Sequence, residues 1–261
     1  MKRVVVKVGT STLAHSTGRL NIRRVGRLVE TLSDLQNEGY EMVLVSSGAI
    51  GIGAGKLGLR EKPSDIPTRQ ACAAVGQCEL MYTYDRLFGQ YNHTVAQVLM
   101  TRYTVEEPRS RENAINAFSS LLSLGVIPII NENDTVAIEE VEFGDNDTLS
   151  AIVAELVQAD LLIMLTDIDG LYDKDPRESA DAKLIPVVQE ITDEIRALAG
   201  QSKSNMGTGG MITKIQAAER ATALGIPTMI VNGREPEVLY DVLAGESVGT
   251  IFLPEGDAAW N

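Results

Sequence analysis

The sequence contains few of the residue types that form metal centres, disulfide frameworks or nucleophilic triads. Its 261 residues include two cysteines, Cys72 and Cys78, which are six residues apart on different faces of one predicted helix. That spacing is typical neither of a metal site nor of a disulfide scaffold, and it favours a reducing cytoplasmic compartment. The two histidines, His15 and His93, have no partners in a recognisable Ser-His-Asp or Cys-His arrangement. We therefore predict no protein-bound metal and assign both histidines a structural or solvated role.

Basic residues and long apolar runs are also scarce. Lys and Arg number 23 against 36 Asp and Glu, which gives a net charge of −13. This balance argues against nucleic acid or an anionic membrane as the main partner, although a few local lysines can still bind an anionic substrate. No apolar run approaches the length of a membrane span, and the N-terminus enters a strand with no apolar signal segment. We therefore predict a cytoplasmic protein.

Predicted strands and helices alternate along the whole chain. The β-branched run Val4–Val6 is typical of a strand buried on both faces of a parallel sheet, and apolar residues recur at helical spacing from Ile22 to Glu38. Further strands are predicted at 42–45, 93–100, 126–130, 161–165, 228–231 and 250–253, helices at 68–91, 109–124, 147–157, 211–224 and 237–244, and a hairpin at 136–143. No linker or internal repeat divides the chain. The pattern predicts one α/β domain.

Polar residues follow several of these strands. Ligands of open α/β sheets bind outside the carboxyl ends of strands, so Lys7 is expected to point toward a crevice. The alternative is a lysine at the edge of the core that reaches water. Ser47 and the glycines after it suggest a loop that faces a ligand, with close helix–sheet packing as the alternative. The GxGxxG match that begins at Gly53 starts too far beyond its strand to be a dinucleotide fingerprint.

Two acid- and amide-rich segments and one glycine-rich segment complete the candidate site. The first acidic segment is 131–134, and the second is 145–147, where Asn146 or Asp147 could cap a helix. Helix capping would explain one of these polar residues but not five of them. The glycine- and serine-rich segment 202–210 opens a helix whose first turn carries Lys214. We therefore expect all three segments to contribute to function.

Two lysines, amide-rich loops and carboxylates are the groups that phosphoryl transfer requires. Lys7 and Lys214 would neutralise the charge that develops on the transferred group, and a helix N-terminus near Gly210 would add amide donors. Asp145 and Asp147 could orient a lysine ammonium, or act on a metal or on the substrate. The residues alone leave these three roles open.

Six motifs together resemble the glutamate 5-kinase group of the amino acid kinase family. They are VVVKVGTS at Lys7, VSSGAI at Ser47, INEND at Asp134, FGDND at Asp145–Asp147, LTDIDGLY at Thr166–Asp167 and GTGGMITK ending at Lys214. They occur in the order of that family and extend from residue 4 to residue 214. Each motif is moderately specific alone, and the set is highly specific.

The resemblance implies a fold and a reaction. The fold is a three-layer α/β sandwich with a central, mainly parallel eight-stranded sheet between helices. Residues 1–160 would bind the amino acid substrate and residues 161–261 the nucleotide, within one catalytic domain. The reaction is transfer of the ATP γ-phosphoryl group to the side-chain carboxylate of L-glutamate, the first step of proline biosynthesis. Mg²⁺ would accompany ATP, proline would be the feedback inhibitor, and the protein would be a homo-oligomer, either a dimer or a tetramer.

The resemblance also implies roles for particular residues. Lys7 and Lys214 would stabilise the transferring phosphoryl group, with Asp145 and Asp147 organising the site. Glutamate would be bound by Ser47, Asp134 and Asn146. ATP would be bound by Lys7, Thr166, Asp167, Thr208, Gly209, Gly210, Met211, Ile212, Thr213 and Lys214.

Two departures from the family pattern and three rival functions are relevant. Many members carry a C-terminal PUA domain, whereas this chain ends at Asn261, and Glu142 stands where several relatives have a basic residue. The second departure bears on the affinity for glutamate and for proline.

The rivals are a kinase of the same fold acting on N-acetylglutamate, aspartate, carbamate or UMP, a regulatory protein without catalysis, and an NAD-dependent oxidoreductase. The last would need an acidic residue after the second strand, where this chain has Ser46-Ser47.

Overall fold

The computed structural model describes residues 2–15, 17–59, 61, 63–136, 146–200 and 210–256. The predicted hairpin lies almost wholly outside them, as do Glu142 and the predicted site residues Asp145, Thr208 and Gly209. The strands are β1 (Arg3–Val8), β2 (Glu41–Ser46), β3 (Val95–Met100), β4 (Ile127–Glu132), β5 (Leu161–Thr166), β6 (Val187–Val188), β7 (Thr228–Asn232) and β8 (Thr250–Phe252). The helices are α1 (Thr10–Leu13), α2 (Ile22–Asn37), α3 (Ala49–Lys56), α4 (Ile66–Gly89), α5 (Arg102–Glu106), α6 (Pro108–Ser123), α7 (Asn146–Val157), α8 (Asp193–Gly200), α9 (Met211–Thr222) and α10 (Val238–Leu243).

The eight strands form one sheet in the order β3-β4-β2-β1-β5-β7-β8-β6. Every neighbouring pair is parallel except β7 with β8. The central strands are built from apolar residues buried on both faces, which is the pattern expected when helices cover both sides of a parallel sheet. The predicted three-layer α/β fold with a mainly parallel eight-stranded sheet is confirmed.

Alternation along β1 decides which layer each side chain joins. Val4, Val6 and Val8 pack in the core beneath α2, α4 and α10. Val5 packs in the opposite core, with α6, α7, α8 and α9. Because successive side chains of a strand point to opposite faces, Lys7 lies on the same face as Val5. The sequence of β1 therefore directs Lys7 toward α7 and α9.

The sheet has a topological switch point beside β1. The chain passes from β1 to β2 on one side, and the later strands β5 and β7 lie on the other side. Lys7 pairs in register with Val45 of β2 and Met164 of β5. A crevice forms outside the carboxyl ends of the strands at such a point, because the connections on the two sides leave in opposite directions. Lys7 is the next-to-last residue of β1 and lies at this crevice.

The glycine-rich segment after β2 differs from the expectation of a ligand-facing loop. Gly48 has a φ of 101° and begins the turn, but 49–56 is the helix α3, packed against α4. A Cβ on Gly53 would lie 1.8 Å from the carbonyl oxygen of Cys72, and one on Gly76 would lie 1.8 Å from that of Ala49. Both glycines are needed because the two helix backbones touch. The close contact is therefore between two helices, whereas we expected from the sequence either a ligand-facing loop or close packing of a helix on the sheet.

Several smaller expectations also differ from the structure. Helix α7 begins at Asn146, so Asn146 and Asp147 both lie inside its first turn, and the expectation that one of them is the N-cap is wrong. The short elements α1, α5, α8 and β6 were not predicted, since two to eight residues carry too little periodicity. Cys72 is buried, Cys78 is exposed, and both are free thiols. In the part of the chain described above, no helix is long and apolar enough to cross a membrane.

We predict that Gly76→Ala strongly destabilises the protein. The added methyl group would overlap a backbone carbonyl of α3 that cannot move without separating the two helices, so we expect a loss of about 3 kcal/mol in the free energy of unfolding. Urea denaturation measures the change.

The matched control is Gly89→Ala, at the end of the same helix. A Cβ at Gly89 meets nothing within 4 Å, so the free energy of unfolding should stay the same or rise slightly. Equal effects of the two substitutions would show that α3 and α4 are not in close contact.

Candidate active site

The carboxylate of Asp147 lies between two lysine ammonium groups. Asp147 Oδ1 is 2.6 Å from Lys7 Nζ, and Asp147 Oδ2 is 3.0 Å from Lys214 Nζ. The three side chains come from β1, α7 and α9, and all are buried, Asp147 completely. Of the three roles left open for Asp147, orienting the ammonium groups is the one that the geometry supports.

The negative charge of Asp147 depends on both neighbouring lysines. Burial by itself would raise the pKa of the Asp147 carboxyl, but the neighbouring ammonium groups of Lys7 and Lys214 outweigh burial and hold the pKa well below its usual range. Asp147 is therefore ionised at neutral pH. One carboxylate between two ammonium groups leaves the triad with a net positive charge, which suits an anionic ligand.

The first turn of α9 completes this cluster. Gly210 is the N-cap, with extended backbone and no side chain to block an approaching ligand. The hydroxyl of Thr213 lies 2.8 Å from Asp147 Oδ2 and 2.8 Å from the Gly210 carbonyl oxygen, so it donates to one of them. Met211 is buried and Ile212 is 46% exposed. Lys214 thus projects from a helix N-terminus whose free amides favour anions.

A second cluster joins Asn146 to the end of β2. Asn146 Nδ2 lies 2.8 Å from Asn131 Oδ1, 2.9 Å from Ser47 Oγ and 3.1 Å from the Ser46 carbonyl oxygen. An amide nitrogen has two hydrogens, so the three oxygens share them. Because Asn146 and Asp147 are consecutive, this cluster adjoins the lysine triad. Of the three residues predicted to bind the acid substrate, Ser47 and Asn146 are thus in contact.

Sequence reasoning missed two supports of this cluster, both on α4. Gln77 Oε1 accepts a hydrogen bond of 2.9 Å from Asn131 Nδ2, which fixes the orientation of the Asn131 amide. The hydroxyl of Tyr84 is 2.9 Å from Ser46 Oγ in the buried core, and burial raises the pKa of Tyr84 well above its usual value. The feature that could have identified Gln77 is its position as a polar residue on the half-buried side of an otherwise apolar helical pattern.

Asp134 is placed differently from the two residues of that cluster. It follows β4 by two residues, at the same edge of the sheet, and is partly buried. Burial raises the pKa of its carboxyl to about 6, against the opposing effect of the Arg69 guanidinium on α4. A carboxylate kept partly buried beside the crevice is suited to bind a cationic group.

Thr166 and Asp167 lie at the carboxyl end of β5, on the other side of the switch point. Thr166 is buried, Asp167 is exposed, and the Thr166 carbonyl oxygen accepts a hydrogen bond of 2.8 Å from the Gly233 amide. A Cβ on Gly233 would lie 2.6 Å from the Cβ of Leu165, so the loop after β7 must pass close to β5. This pair is thus brought to the crevice from the opposite side to Ser47.

The carboxylates give little support for a metal cage. Among the residues described, no group of three or more His, Cys, Asp and Glu is arranged to hold a metal ion. The buried carboxylate of Asp147 is already neutralised by two ammonium groups. These donors fit a Mg²⁺ ion that is held chiefly by phosphate oxygens and water, as that ion usually is.

Comparison with known proteins places the whole chain in one family. The sequence profile of the Amino acid kinase family matches residues 2–232. The glutamate 5-kinase of Clostridium perfringens is 54% identical over 256 residues, which cover 97% of this chain and 95% of that protein. The glutamate 5-kinase of Clostridium tetani is 55% identical over 253 residues, with 97% and 94% covered. That of Listeria innocua is 53% identical over 255 residues, with 96% and 92% covered.

Solved structures with much lower identity share the fold. The UMP kinase of Bacillus anthracis has a TM-score of 0.66 at 18% identity and covers 100% of this chain and 99% of its own. The UMP kinase of Ureaplasma parvum has a TM-score of 0.66 at 16% identity, with 97% and 98% covered. At these identities the likeness concerns the arrangement of the sheet and helices and not the substrate.

We predict that Asp134→Asn stabilises the protein at pH 8. An ionised carboxylate whose folded-state pKa is raised to about 6 costs stability above that pH, so replacing it should increase the free energy of unfolding by about 3 kcal/mol. The cost falls as pH drops through 6 and disappears below about pH 4, where the carboxyl is protonated in both states. Urea denaturation of both proteins between pH 4 and pH 8 measures the difference.

The control is Asp85→Asn, which removes an exposed carboxylate from α4. Its effect should stay within about 0.5 kcal/mol at each pH, as is usual for surface substitutions. A gain for Asp134→Asn that does not decrease toward pH 4 would contradict a raised pKa.

Proposed function

The chain belongs to the amino acid kinase family, and on this premise we propose that it phosphorylates the side-chain carboxylate of L-glutamate with ATP. The products are L-glutamyl 5-phosphate and ADP, and the reaction is the first step of proline biosynthesis. The observation that carries the proposal is the similarity to glutamate 5-kinases at more than 50% identity over nearly the full length of both chains. The buried lysine–aspartate triad supplies the chemistry that this reaction needs.

The acceptor needs no general base. A glutamate side-chain carboxylate is ionised at neutral pH, so one of its oxygens can attack the γ-phosphorus directly. A bond forms between that oxygen and phosphorus, and the bond from phosphorus to the β–γ bridging oxygen breaks, leaving its electron pair on ADP. The protein contributes positioning and charge stabilisation, as is general for phosphoryl transfer.

Lys7 and Lys214 provide the charge stabilisation in this proposal. Their ammonium groups converge on Asp147 from different elements, so both are held in place before any ligand binds. Fixed charges of this kind need no reorganisation when negative charge spreads over the phosphoryl oxygens in the transition state. Asp147 acts as a positioning residue, because its carboxylate is already paired with both lysines.

The glutamate site in this proposal consists of Ser47, Asn146 and Asp134. Asp134 is ionised above pH 6 and would bind the α-ammonium group, since burial strengthens such a pair. Asn146 and Ser47 would bind the carboxylate groups, with Asn131 and Gln77 holding the Asn146 amide in place. Proline carries a cationic nitrogen and a carboxylate in the same relation, so we propose it as a feedback inhibitor that overlaps this site.

The nucleotide would occupy the part of the crevice between β5 and α9. Thr166, Asp167 and Gly210–Lys214 would bind it there. Thr208 and Gly209, also proposed to bind ATP, and Asp145, proposed to organise the site, lie outside the described residues. Magnesium would enter on the phosphates of ATP, where it supplies further neutralisation of their charge. Residues 1–160 thus mainly serve the amino acid and residues 161–261 mainly serve ATP, with Lys7 acting on both.

Two further parts of the proposal concern the state of the protein. We propose a homo-oligomer, dimer or tetramer, because the long helix α4 presents the large side chain of Tyr82, which is 63% exposed. We propose a cytoplasmic location, which fits the use of ATP and the two free thiols.

We predict that Lys214→Ala lowers kcat by about a hundredfold or more while changing the affinity for glutamate by less than threefold. The ammonium group is needed most when charge develops on the transferring group, so its loss acts on the transition state more than on the bound substrate. Steady-state kinetics give kcat, and isothermal titration with glutamate gives the affinity.

The control for that variant is Lys56→Ala, which removes an exposed lysine that pairs with Glu79 between α3 and α4. Its kinetics should match those of the unaltered protein. Equal losses of kcat and of glutamate affinity in Lys214→Ala would contradict the assigned role.

The substrate is tested by measuring ATP consumption with Mg²⁺ and hydroxylamine, which traps acyl phosphates as hydroxamates. We expect turnover and hydroxamate with L-glutamate but not with N-acetyl-L-glutamate, L-aspartate, carbamate or UMP, and inhibition by proline that glutamate relieves. Turnover with another acceptor would retain the fold and the lysine chemistry but overturn the roles of Asp134 and Asn146. Binding of ATP without turnover would favour a regulatory protein.

A further inference from the structure

We propose that a basic cavity outside the lysine triad binds a small oxyanion carrying at least two negative charges, through phosphate or carboxylate groups. The cavity has a volume of about 490 Å³, within the range typical of small-molecule sites. It contains none of the residues assigned above to glutamate or ATP. The residues that line it are His15, Leu20, Asn21, Ile22, Arg23, Arg24, Arg27, Arg234 and Glu235. Its ligand is not required for the proposed kinase reaction.

Three segments that are distant in sequence build the walls. His15 and Leu20, beside the antiparallel bridge between Ala14 and Leu20, form the first wall. The first two turns of α2 form the second, and the loop after β7 forms the third. Since β1 and β7 both end at the carboxyl edge of the sheet, the cavity lies at the same edge as the lysine triad, on the side covered by α2 and α10.

Two of the four arginines are fixed by contacts within the protein. Arg24 donates from Nη1 to the Ser11 carbonyl oxygen at 3.2 Å. Arg27 forms an ion pair with Glu235 and a longer one, of 3.6 Å, with Glu237. The first contact holds α2 against α1, and the second holds α2 against the segment after β7. Together they give the cavity a preformed shape.

The other two arginines supply charge that is not neutralised by the residues the structure describes. Arg23 and Arg234 are exposed, and neither forms an ion pair with any residue that the structure describes. They reach the cavity from two different segments, Arg23 from α2 and Arg234 from the loop after β7. Glu235 is the single acid among the lining residues, and it is already paired with Arg27. The lining therefore carries an uncompensated positive charge of about two or more.

This local charge contrasts with the rest of the molecule. The chain has 36 acidic and 23 basic residues, so an ordinary patch of its surface is negative. Four arginines around one concave surface repel one another unless an anion is shared between them. Planar guanidinium groups match phosphate and carboxylate oxygens in geometry, and the N-terminal amides of α2 add a favourable dipole. A ligand with a single negative charge would leave part of the repulsion in place, which is why we infer a multiply charged one.

The experiment is isothermal titration of the full-length protein with sodium pyrophosphate and, separately, with sodium citrate, without Mg²⁺ and at constant ionic strength. Pyrophosphate and citrate distinguish a phosphate from a polycarboxylate as the recognised group. We expect a binding event with at least one of them, and a dissociation constant at least tenfold larger, or no such event, in the double variant R23A/R234A.

The matched control is R86A/R109A, which removes the same number of exposed arginines from α4 and α6. It should bind as the unaltered protein does. Both double variants should also melt at the same temperature as that protein in anion-free buffer, which verifies that they are folded. The proposal is overturned if neither anion binds, if R23A/R234A binds as tightly as R86A/R109A, or if Lys214→Ala removes the same event. Because the readout is binding, failure of the kinase assay would leave this result unaffected.

Discussion

The interaction between one carboxylate and two ammonium groups governs the functional edge of this molecule. Asp147 is completely buried, and Lys7 and Lys214 are nearly so. A buried charge is costly unless it is paired, and breaking such a group by removing one member leaves the others uncompensated. The triad is therefore stable only when β1, α7 and α9 are correctly packed. The two helices and the strand are joined by the core around Val5, so the hydrophobic layer and the charged cluster depend on each other.

The neighbouring polar cluster has a different physical character. The two hydrogens of Asn146 Nδ2 are shared among three oxygens. The oxygens can therefore accept more hydrogen bonds than this amide nitrogen donates. A ligand with a hydrogen-bond donor or acceptor can enter this cluster by replacing one of its hydrogen bonds with one to the ligand. Asp134 carries a raised pKa because it is partly buried without a full set of compensating charges. Sites of this kind retain polar groups that a purely structural region would replace with apolar ones.

The sequence was most informative where a rule about one segment holds whatever segment packs against it. The valine run predicts a central strand, and its alternation places Lys7 opposite Val6 and Val8. It was least informative where two distant segments meet. The glycines of α3 are compatible both with a loop and with a close contact between helices. Only the position of Cys72 in the folded protein distinguishes the two. Gln77 has no motif, because its role depends on the position of Asn131, 54 residues away. The basic cavity likewise requires Arg23 and Arg234 to be adjacent, which no short pattern encodes.

The order of strands in the sheet also has a consequence for the nascent chain. β1 is synthesised first, and β2 covers one of its edges soon afterwards. The other edge of β1 pairs with β5, which ends at residue 166. That edge of β1 therefore stays unpaired on the ribosome for on the order of ten seconds at usual rates of translation. An open, valine-rich strand edge is a template for pairing with other chains. A strand at the centre of the finished sheet is thus left with one open edge during much of the synthesis of the protein.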